Sequence, residues 1–326
     1  MQRFKNILCV INTELNDPYA LEHAAKLAAN NQARLTVVEV IDEISPNSKL
    51  FERTMSPVDL QEKIVKEHQN KLEEIILPWN KKIEVKPKVL TGILFLEVIY
   101  EVLRNEHDLV FKLADSGGLL NRLFGSDDMH LLRKCPCPVW LVKPNSSKSY
   151  NKVLAAVDVD YLYPPEEMMT RHLLNVQILE MAGSLALMES GDLHVVHVWD
   201  AIAENVMNMV FSDTPQEKVD AYIEEVRHQY ADSLEMLMSE LTRKLGQDSM
   251  NYIQPKRHLI KGYSRKEIPL FAKKIKADLV IMGTVARIGI SGLFMGNTAE
   301  SILNQLDCSV LAIKPVGFVS PVVLDN

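Results

Sequence analysis

The stretch Cys137-Pro138-Val139-Trp140-Leu141-Val142-Lys143-Pro144 is answered near the end of the chain by Cys308-Ser309-Val310-Leu311-Ala312-Ile313-Lys314-Pro315. Each is a thiol, an apolar run of strand character and a closing Lys-Pro. Working outward, Ile7-Leu8-Cys9-Val10-Ile11-Asn12 is matched by Val153-Leu154-Ala155-Ala156-Val157-Asp158, and Asp108-Leu109-Val110-Phe111 by Asp278-Leu279-Val280-Ile281. The offset between partners drifts along the chain while their order holds, as insertions into a duplicated domain produce. Internal repetition sets the domain count before other features are weighed. The reading is two copies of one domain, at 1–146 and 147–326.

At 326 residues the chain suits two domains near the common size of about 100–150 residues. A hydrophobic fraction of 47% supplies two cores, and a net charge of −7 argues against general affinity for nucleic acid. The start, Met1-Gln2-Arg3-Phe4-Lys5-Asn6, runs into a strand pattern without the apolar core of a secretion signal. No apolar run approaches the roughly 18–20 residues of a membrane span. The expectation is a soluble cytoplasmic protein that engages neither nucleic acid nor membrane. Four cysteines make no disulfide framework. Cys137 stands where Cys308 stands, at the start of an apolar strand, so a small buried thiol is a simpler account of Cys135-Pro136-Cys137 than a metal or redox role.

In the first copy, residues 5–12 read as a strand buried on both faces. Asp17 and Pro18 open a helix carrying Leu21, Ala24, Ala25, Leu27 and Ala28 at the helical period. A strand at 35–41 follows, then a long helix with Leu60, Ile64, Leu72, Ile75 and Ile76 that stops before Pro78. Next come a strand at 83–90, a helix at 94–103 and strands at 109–113 and 139–142. In the second copy strands fall near 152–158, 193–199, 253–261, 279–283 and 309–313, and helices near 170–189, 215–245, 265–276 and 298–306. This alternation implies an α/β fold of two tandem doubly wound domains, each a five-stranded parallel sheet of order 3-2-1-4-5 with helices on both faces. The polar residues 145–150 are the expected linker.

The loop from Ile281 to Glu300 follows an apolar strand and leads into a helix. Gly283 ends the strand, where a missing side chain admits a backbone or a phosphate. Asn297 suits an N-cap, with Glu300 placed to complete a capping box, and the free N–H groups there suit an anion. An ordinary capped helix after a flexible loop is an equally good account. In the order 3-2-1-4-5, Asp158 faces Gly283 at the point where ligands bind doubly wound sheets. A base and sugar near Asp158 and Val198, with phosphates toward Gly283 and Gly296, form a coherent arrangement. Arg287 and Lys314 are within conceivable reach of phosphates.

On these residues the chain resembles the tandem-type universal stress proteins, the enterobacterial E-type among them, over essentially its whole length. Nucleotide-binding members of that family carry G-x2-G-x9-G-[S/T] after the fourth strand and an Asp ending the first. The matching positions are Gly283, Ala286, Gly296, Asn297 and Asp158, with alanine for the middle glycine and asparagine for the hydroxyl residue. Gly296-Asn297-Thr298-Ala299-Glu300 and Ile313-Lys314-Pro315 also follow the subtype. The resemblance implies a stress-response sensor or regulator whose C-terminal domain binds ATP or a related nucleotide, alone or with Mg²⁺. It implies a site of Ala156, Val157, Asp158, Val198, Met282, Gly283, Ala286, Arg287, Gly296, Asn297 and Thr298. The changes at Ala286 and Asn297 leave a second reading open: a scaffold that holds another small molecule or protein partners. With no general base or metal-binding carboxylate pair around the loop, turnover is at most slow ATP hydrolysis. Single-domain members pair through their final strands, which implies an internal pseudo-dimer here and further association of two chains.

The first copy departs further. Asn12 replaces Asp158, Leu113 replaces Gly283, and the loop 114–124 is one residue shorter before Gly125-Ser126 and a helical segment at 127–133. It reads as a degenerate copy that could still hold an anion at that helix. His197 aligns with Glu39; His194 and His197 point to opposite faces of a strand and share no metal, and no other histidine spacing suggests one. The Met-rich stretches at 207–211 and 236–238 read as helix core or as an adaptable lid. Insertions at 43–58 and 200–216 are placed to shape each copy's pocket.

Overall fold

Parallel strands cannot be joined by tight turns, so each needs a crossover, and the helices of those crossovers bury both faces of the sheet. The computed structural model describes residues 4–15, 18–45, 56–115, 123–146, 149–209, 215–284 and 295–324. They fall into two compact units, Met1–Lys148 with Val319–Asn326, and Ser149–Phe318. The first unit runs β1 (Asn6–Val10), α1 (Tyr19–Asn31), β2 (Arg34–Ile41), α2 (Pro57–Ile76), β3 (Val85–Thr91), α3 (Leu94–Asn105), β4 (Leu109–Leu113), α4 (Ser126–Lys134) and β5 (Val139–Val142). The second runs β6 (Lys152–Ala156), α5 (Pro165–Glu189), β7 (Asp192–Trp199), α6 (Ile202–Met209), α7 (Gln216–Leu245), α8 (Gln247–Ile253), β8 (Lys256–Lys261), α9 (Ser264–Ile275), β9 (Leu279–Gly283), α10 (Asn297–Leu303) and β10 (Ser309–Ile313).

Pairing is parallel, in the order β3-β2-β1-β4-β5 in the first unit and β8-β7-β6-β9-β10 in the second. This is the doubly wound α/β sheet expected from the alternation of elements. The repeated Asp-Leu-Val motif has a physical reason. The Asp108 carboxylate accepts the backbone N–H of Asn6 at 3.1 Å, and Asp278 accepts that of Lys152 at 2.9 Å. Each aspartate ties the start of the fourth strand to the start of the first and so pins their register. All of β1, β5 and β10 is buried, and the four thiols Cys9, Cys135, Cys137 and Cys308 are buried and not joined in disulfides. Burial pushes the Cys9 and Cys137 thiols well above their ordinary range, as suits packing groups.

Several boundaries differ from the sequence reading. The strand expected at 253–261 begins only at Lys256, because 247–253 form α8 behind Gly246, which sits at φ +85°. Helix α5 begins at Pro165 rather than near 170, with proline in its first turn. Of the paired methionines on α7, Met238 is buried while Met236 is 75% exposed, so only one serves the core. The tail after Phe318 belongs to the first unit, where Ser320 Oγ donates to the Lys134 carbonyl at 2.7 Å. Among the described residues no helix is long and apolar enough to cross a membrane.

His194 on β7 and His258 on β8 stack with 5.2 Å between ring centroids and 8° between planes, and their Nδ1 and Nε2 atoms lie 3.1 Å apart. Burial first holds both below the ordinary histidine range, followed by Lys256 for His194 and by the His194 ring and then Lys256 for His258. A depressed folded pKa means the unfolded chain takes up these protons first. Stability of the second unit is therefore expected to be fully present above about pH 6.5 and to fall as the solution is acidified below it. Thermal melts between pH 8 and pH 5 should show this decline, and His258→Leu should flatten it.

Candidate functional site

The carboxyl end of β6 is fixed from α5. Asp158 N–H donates to Asn175 Oδ1 at 3.0 Å, and Asn175 Nδ2 donates to the Asp158 carbonyl at 2.7 Å. Asn175 is itself buried, so this two-point clamp leaves the Asp158 side chain free to face outward from the strand end. Its Oδ2 accepts from Tyr163 Oη and Arg171 Nη1, both at 3.0 Å. Arg171 also donates to Glu167 at 3.0 Å, and its guanidinium lies 3.3 Å from the centre of the Tyr163 ring. Burial, followed by the Asp158 charge, holds the Tyr163 hydroxyl well above its ordinary range, so it stays a donor. The Arg171 side chain is only 11% exposed while that of Asp158 is 44% exposed. Asp158 Oδ1 accepts the Asp160 N–H at 3.3 Å, so one oxygen is neutralised by Arg171 and the other, in a half-exposed carboxylate, faces a backbone amide.

A cavity of about 650 Å³ opens at the carboxyl ends of the second unit's strands. Of the expected residues, Ala156, Val157, Asp158, Val198, Met282, Gly283, Gly296 and Thr298 line it. Asn297 does not line it, and Ala286 and Arg287 lie outside the described residues. Asn297 is not the N-cap either. Gly296 is, with φ −61° and ψ 138° and no side-chain cap, and Asn297 is the first residue of a helix only seven residues long. A side chain one position inside the helix does not reach back to cap it. Lys314, expected to reach outward, is buried and donates to Thr284 Oγ1 at 2.8 Å. Gly296 N–H donates to the Thr284 carbonyl at 3.1 Å, so Thr284 gathers both the loop's return and the lysine.

Gly283 lines the cavity and also packs against the helix behind it. A Cβ there would meet Leu174 Cδ2 at 2.6 Å, so the glycine admits the α5 side chain against β9. At Gly296, by contrast, a Cβ would meet nothing within 4 Å. That position borders open space.

Further residues at the cavity escaped the sequence reading. Arg171 lies inside the helix expected near 170–189, where nothing in the sequence singles it out, and Tyr163 precedes the α5 N-cap in a stretch to which the sequence assigns no element. Tyr263, Ser264 and Arg265 follow Gly262, whose φ of +144° matches +140° at Gly92 in the first unit; this repeated glycine was the available signal. His197 lies 3% exposed on β7, with Nδ1 3.3 Å from the Val157 carbonyl and its ring 5.0 Å from that of Tyr230. Burial holds its pKa below the ordinary value, so the ring is neutral, and its Nε2 is buried without a partner among the described residues. In the first unit the equivalent strand end is closed on itself. Asn12 accepts from Glu14 N–H at 2.8 Å, and buried Glu39 accepts from Thr13 N–H at 2.7 Å and pairs with His68 at 2.9 Å. Among the described residues no cluster of three or more His, Cys, Asp or Glu is placed to hold a metal.

The sequence profile described as the universal stress protein family matches residues 3–143 and again 174–314. The Haemophilus influenzae "Universal stress protein E homolog" is 30% identical over 325 residues, spanning 96% of this chain and 98% of that protein. Universal stress protein E of Escherichia coli K12 is 29% identical over 334 residues, spanning 100% and 99%. A putative universal stress protein from Pseudomonas aeruginosa UCBPP-PA14 superposes with a TM-score of 0.66 at 23% identity, covering 96% of this chain and 94% of that one. That likeness establishes the fold.

The two glycines should behave differently on substitution. Gly283→Ala is expected to cost about 1 kcal/mol, because the atom it meets is the end of the Leu174 side chain, which must shift within a packed helix face. Gly296→Ala should change stability by less than about 0.5 kcal/mol, since its backbone is extended and its surroundings open. Urea melts of the two variants would separate them.

Proposed function

The chain belongs to the universal stress protein family, and we propose that its second unit binds a nucleotide, with ATP the leading candidate, and signals its occupancy to protein partners in a stress response. The observation that carries this reading is the cavity at the strand ends, with the 44%-exposed Asp158 carboxylate and both glycine positions, Gly283 and Gly296, on its lining. A volume of about 650 Å³ falls in the range of roughly 300–1,000 Å³ that small-molecule sites occupy. The cavity sits where β6 and β9 run side by side, the switch point at which doubly wound sheets bind ligands.

The polar groups suit the parts of a nucleotide. His197 Nδ1 lies 3.3 Å from the Val157 carbonyl and 3.4 Å from the Val159 N–H, so the ring is held at the strand end by backbone on both sides and its tautomer sets whether Nε2 is a donor or an acceptor. The half-exposed Asp158 carboxylate accepts sugar hydroxyls, and Val198 and Ile202 supply apolar walls for a base. Gly296 leaves room for phosphate oxygens. Lacking a cluster of metal ligands among the described residues, this unit leaves any Mg²⁺ to the phosphates and water. Binding rather than turnover is the proposed activity.

Native mass spectrometry of the purified protein, followed by titration with ATP and Mg²⁺, tests the reading. One nucleotide per chain is expected. Asp158→Ala and Gly296→Val should abolish it, and Asn12→Ala should leave it intact. Equal loss in Asn12→Ala would overturn the assignment to the second unit. No nucleotide, or a different bound mass, would favour a scaffold that holds another small molecule.

A further inference from the structure

The first unit contains a charged cluster at the place equivalent to the second unit's loop. Lys112, next to last in β4, is buried with its side chain 5% exposed, and its Nζ lies 2.8 Å from Asp128 Oδ1. The Asp128 side chain is fully buried. Its other oxygen accepts two backbone N–H groups, from Asp115 at 2.8 Å and from Gly125 at 3.1 Å. Lys112 also meets the Asp115 carboxylate at 2.5 Å and the Leu113 carbonyl at 3.0 Å.

Part of this is a helix cap, since the third residue of α4 accepts from the N-cap N–H. A cap alone needs neither burial nor an ammonium ion. Here one carboxylate draws N–H groups from both ends of the loop, 115 and 125, and a buried cation as well. That donor set, two converging backbone amides and a lysine, is the chemistry by which loops hold oxyanions. The loop ends are also in close contact, for a Cβ on Gly125 would meet Asp115 Cβ at 2.8 Å.

The second copy supplies the contrast. By the repeat alignment Lys112 corresponds to Met282 and Asp128 to Ala299, and both of those residues line the 650 Å³ cavity. Gly125 corresponds to Gly296, whose N–H goes to the Thr284 carbonyl instead of a carboxylate. We propose that Asp128 is an internal ligand of the first unit: its carboxylate occupies an oxyanion cradle formed by Lys112 and the amides of Asp115 and Gly125, so this unit is permanently filled and independent of any solute. Burial works against the Lys112 charge, but the Asp128 and Asp115 carboxylates outweigh it and hold the ammonium form above its ordinary range. This proposal stands whether or not the second unit binds a nucleotide.

Truncating the internal ligand should create a site for a small oxyanion. The experiment is thermal unfolding of the full chain carrying Asp128→Ala, in acetate, formate or inorganic phosphate, against chloride at equal ionic strength. A fall in Tm of roughly 5–15 °C is expected, because the buried ammonium ion keeps only Asp115 and the Leu113 carbonyl and the amides of Asp115 and Gly125 lose their acceptor. Acetate or formate should restore a good part of it in the variant and leave the wild type unmoved. The double variant Lys112→Met/Asp128→Ala, which copies Met282 and Ala299, should recover stability and lose the acetate response. Should Asp128→Ala alone fail to fold, recovery of folded protein in the double variant supports the proposal, and failure of both refutes it. The proposal is also overturned if acetate and chloride act alike on the single variant, or if the double variant melts no higher than the single one.

Discussion

The register between the first and fourth strands of each unit is the constraint on which the rest depends. In the second unit Ala156 pairs with Met282, so Asp158 and Gly283 emerge together at the carboxyl end of neighbouring strands. A slip of one residue would exchange the faces of every side chain on β6 and bury the carboxylate. Two carboxylates at the opposite end, Asp278 and its counterpart Asp108, prevent that slip by taking the N–H groups at the start of the first strand. The geometry of the cavity is therefore set by hydrogen bonds at the far end of the sheet, where no ligand is expected.

The two copies meet the same structural need by different chemistry. At one pair of equivalent positions the first unit buries lysine against aspartate, and the second has methionine and alanine. Burying two charges costs desolvation that their attraction only about offsets, so such an exchange can be close to neutral for stability. What changes is the surface offered to a solute. An apolar pair leaves the loop's amides for other partners, and an ion pair consumes them. The same contrast appears at the end of the second strand, where Glu39 is paired with His68 while His197 keeps a nitrogen without a partner among the described residues.

Much of the fold was legible in the chain because apolar runs and repeated Asp-Leu-Val and Lys-Pro punctuation do not depend on distant contacts. The sheet order followed from that alternation. The site was less legible. Arg171 sits on α5, where exposed Met168 and Met169 near the start obscure the apolar period, and Tyr163 lies just ahead of that helix. Gly283 stood out in the sequence, but its structural neighbour is a leucine from α5, which no local pattern announces. The His194–His258 stack needs the register of β7 on β8, which is a property of two strands together. The expected cap at Asn297 failed by a single residue, the usual scale of error at a short helix.

Ser320 and its neighbours give the molecule an unusual connectivity, because Val319–Asn326 group with the first unit after the whole of the second has been traversed. The second unit is in effect an insertion held at both ends. If it unfolds while the first remains intact, its released chain is a closed loop rather than a free tail, with fewer conformations open to it. Loop-closure scaling puts that restriction at roughly 5 kcal/mol for a segment of this length. The benefit lasts only while the tail stays attached, so it is capped by the free energy with which a few residues around Ser320 hold on. A short terminal strip thus sets an upper limit on how much one half of the chain can stabilise the other through topology alone.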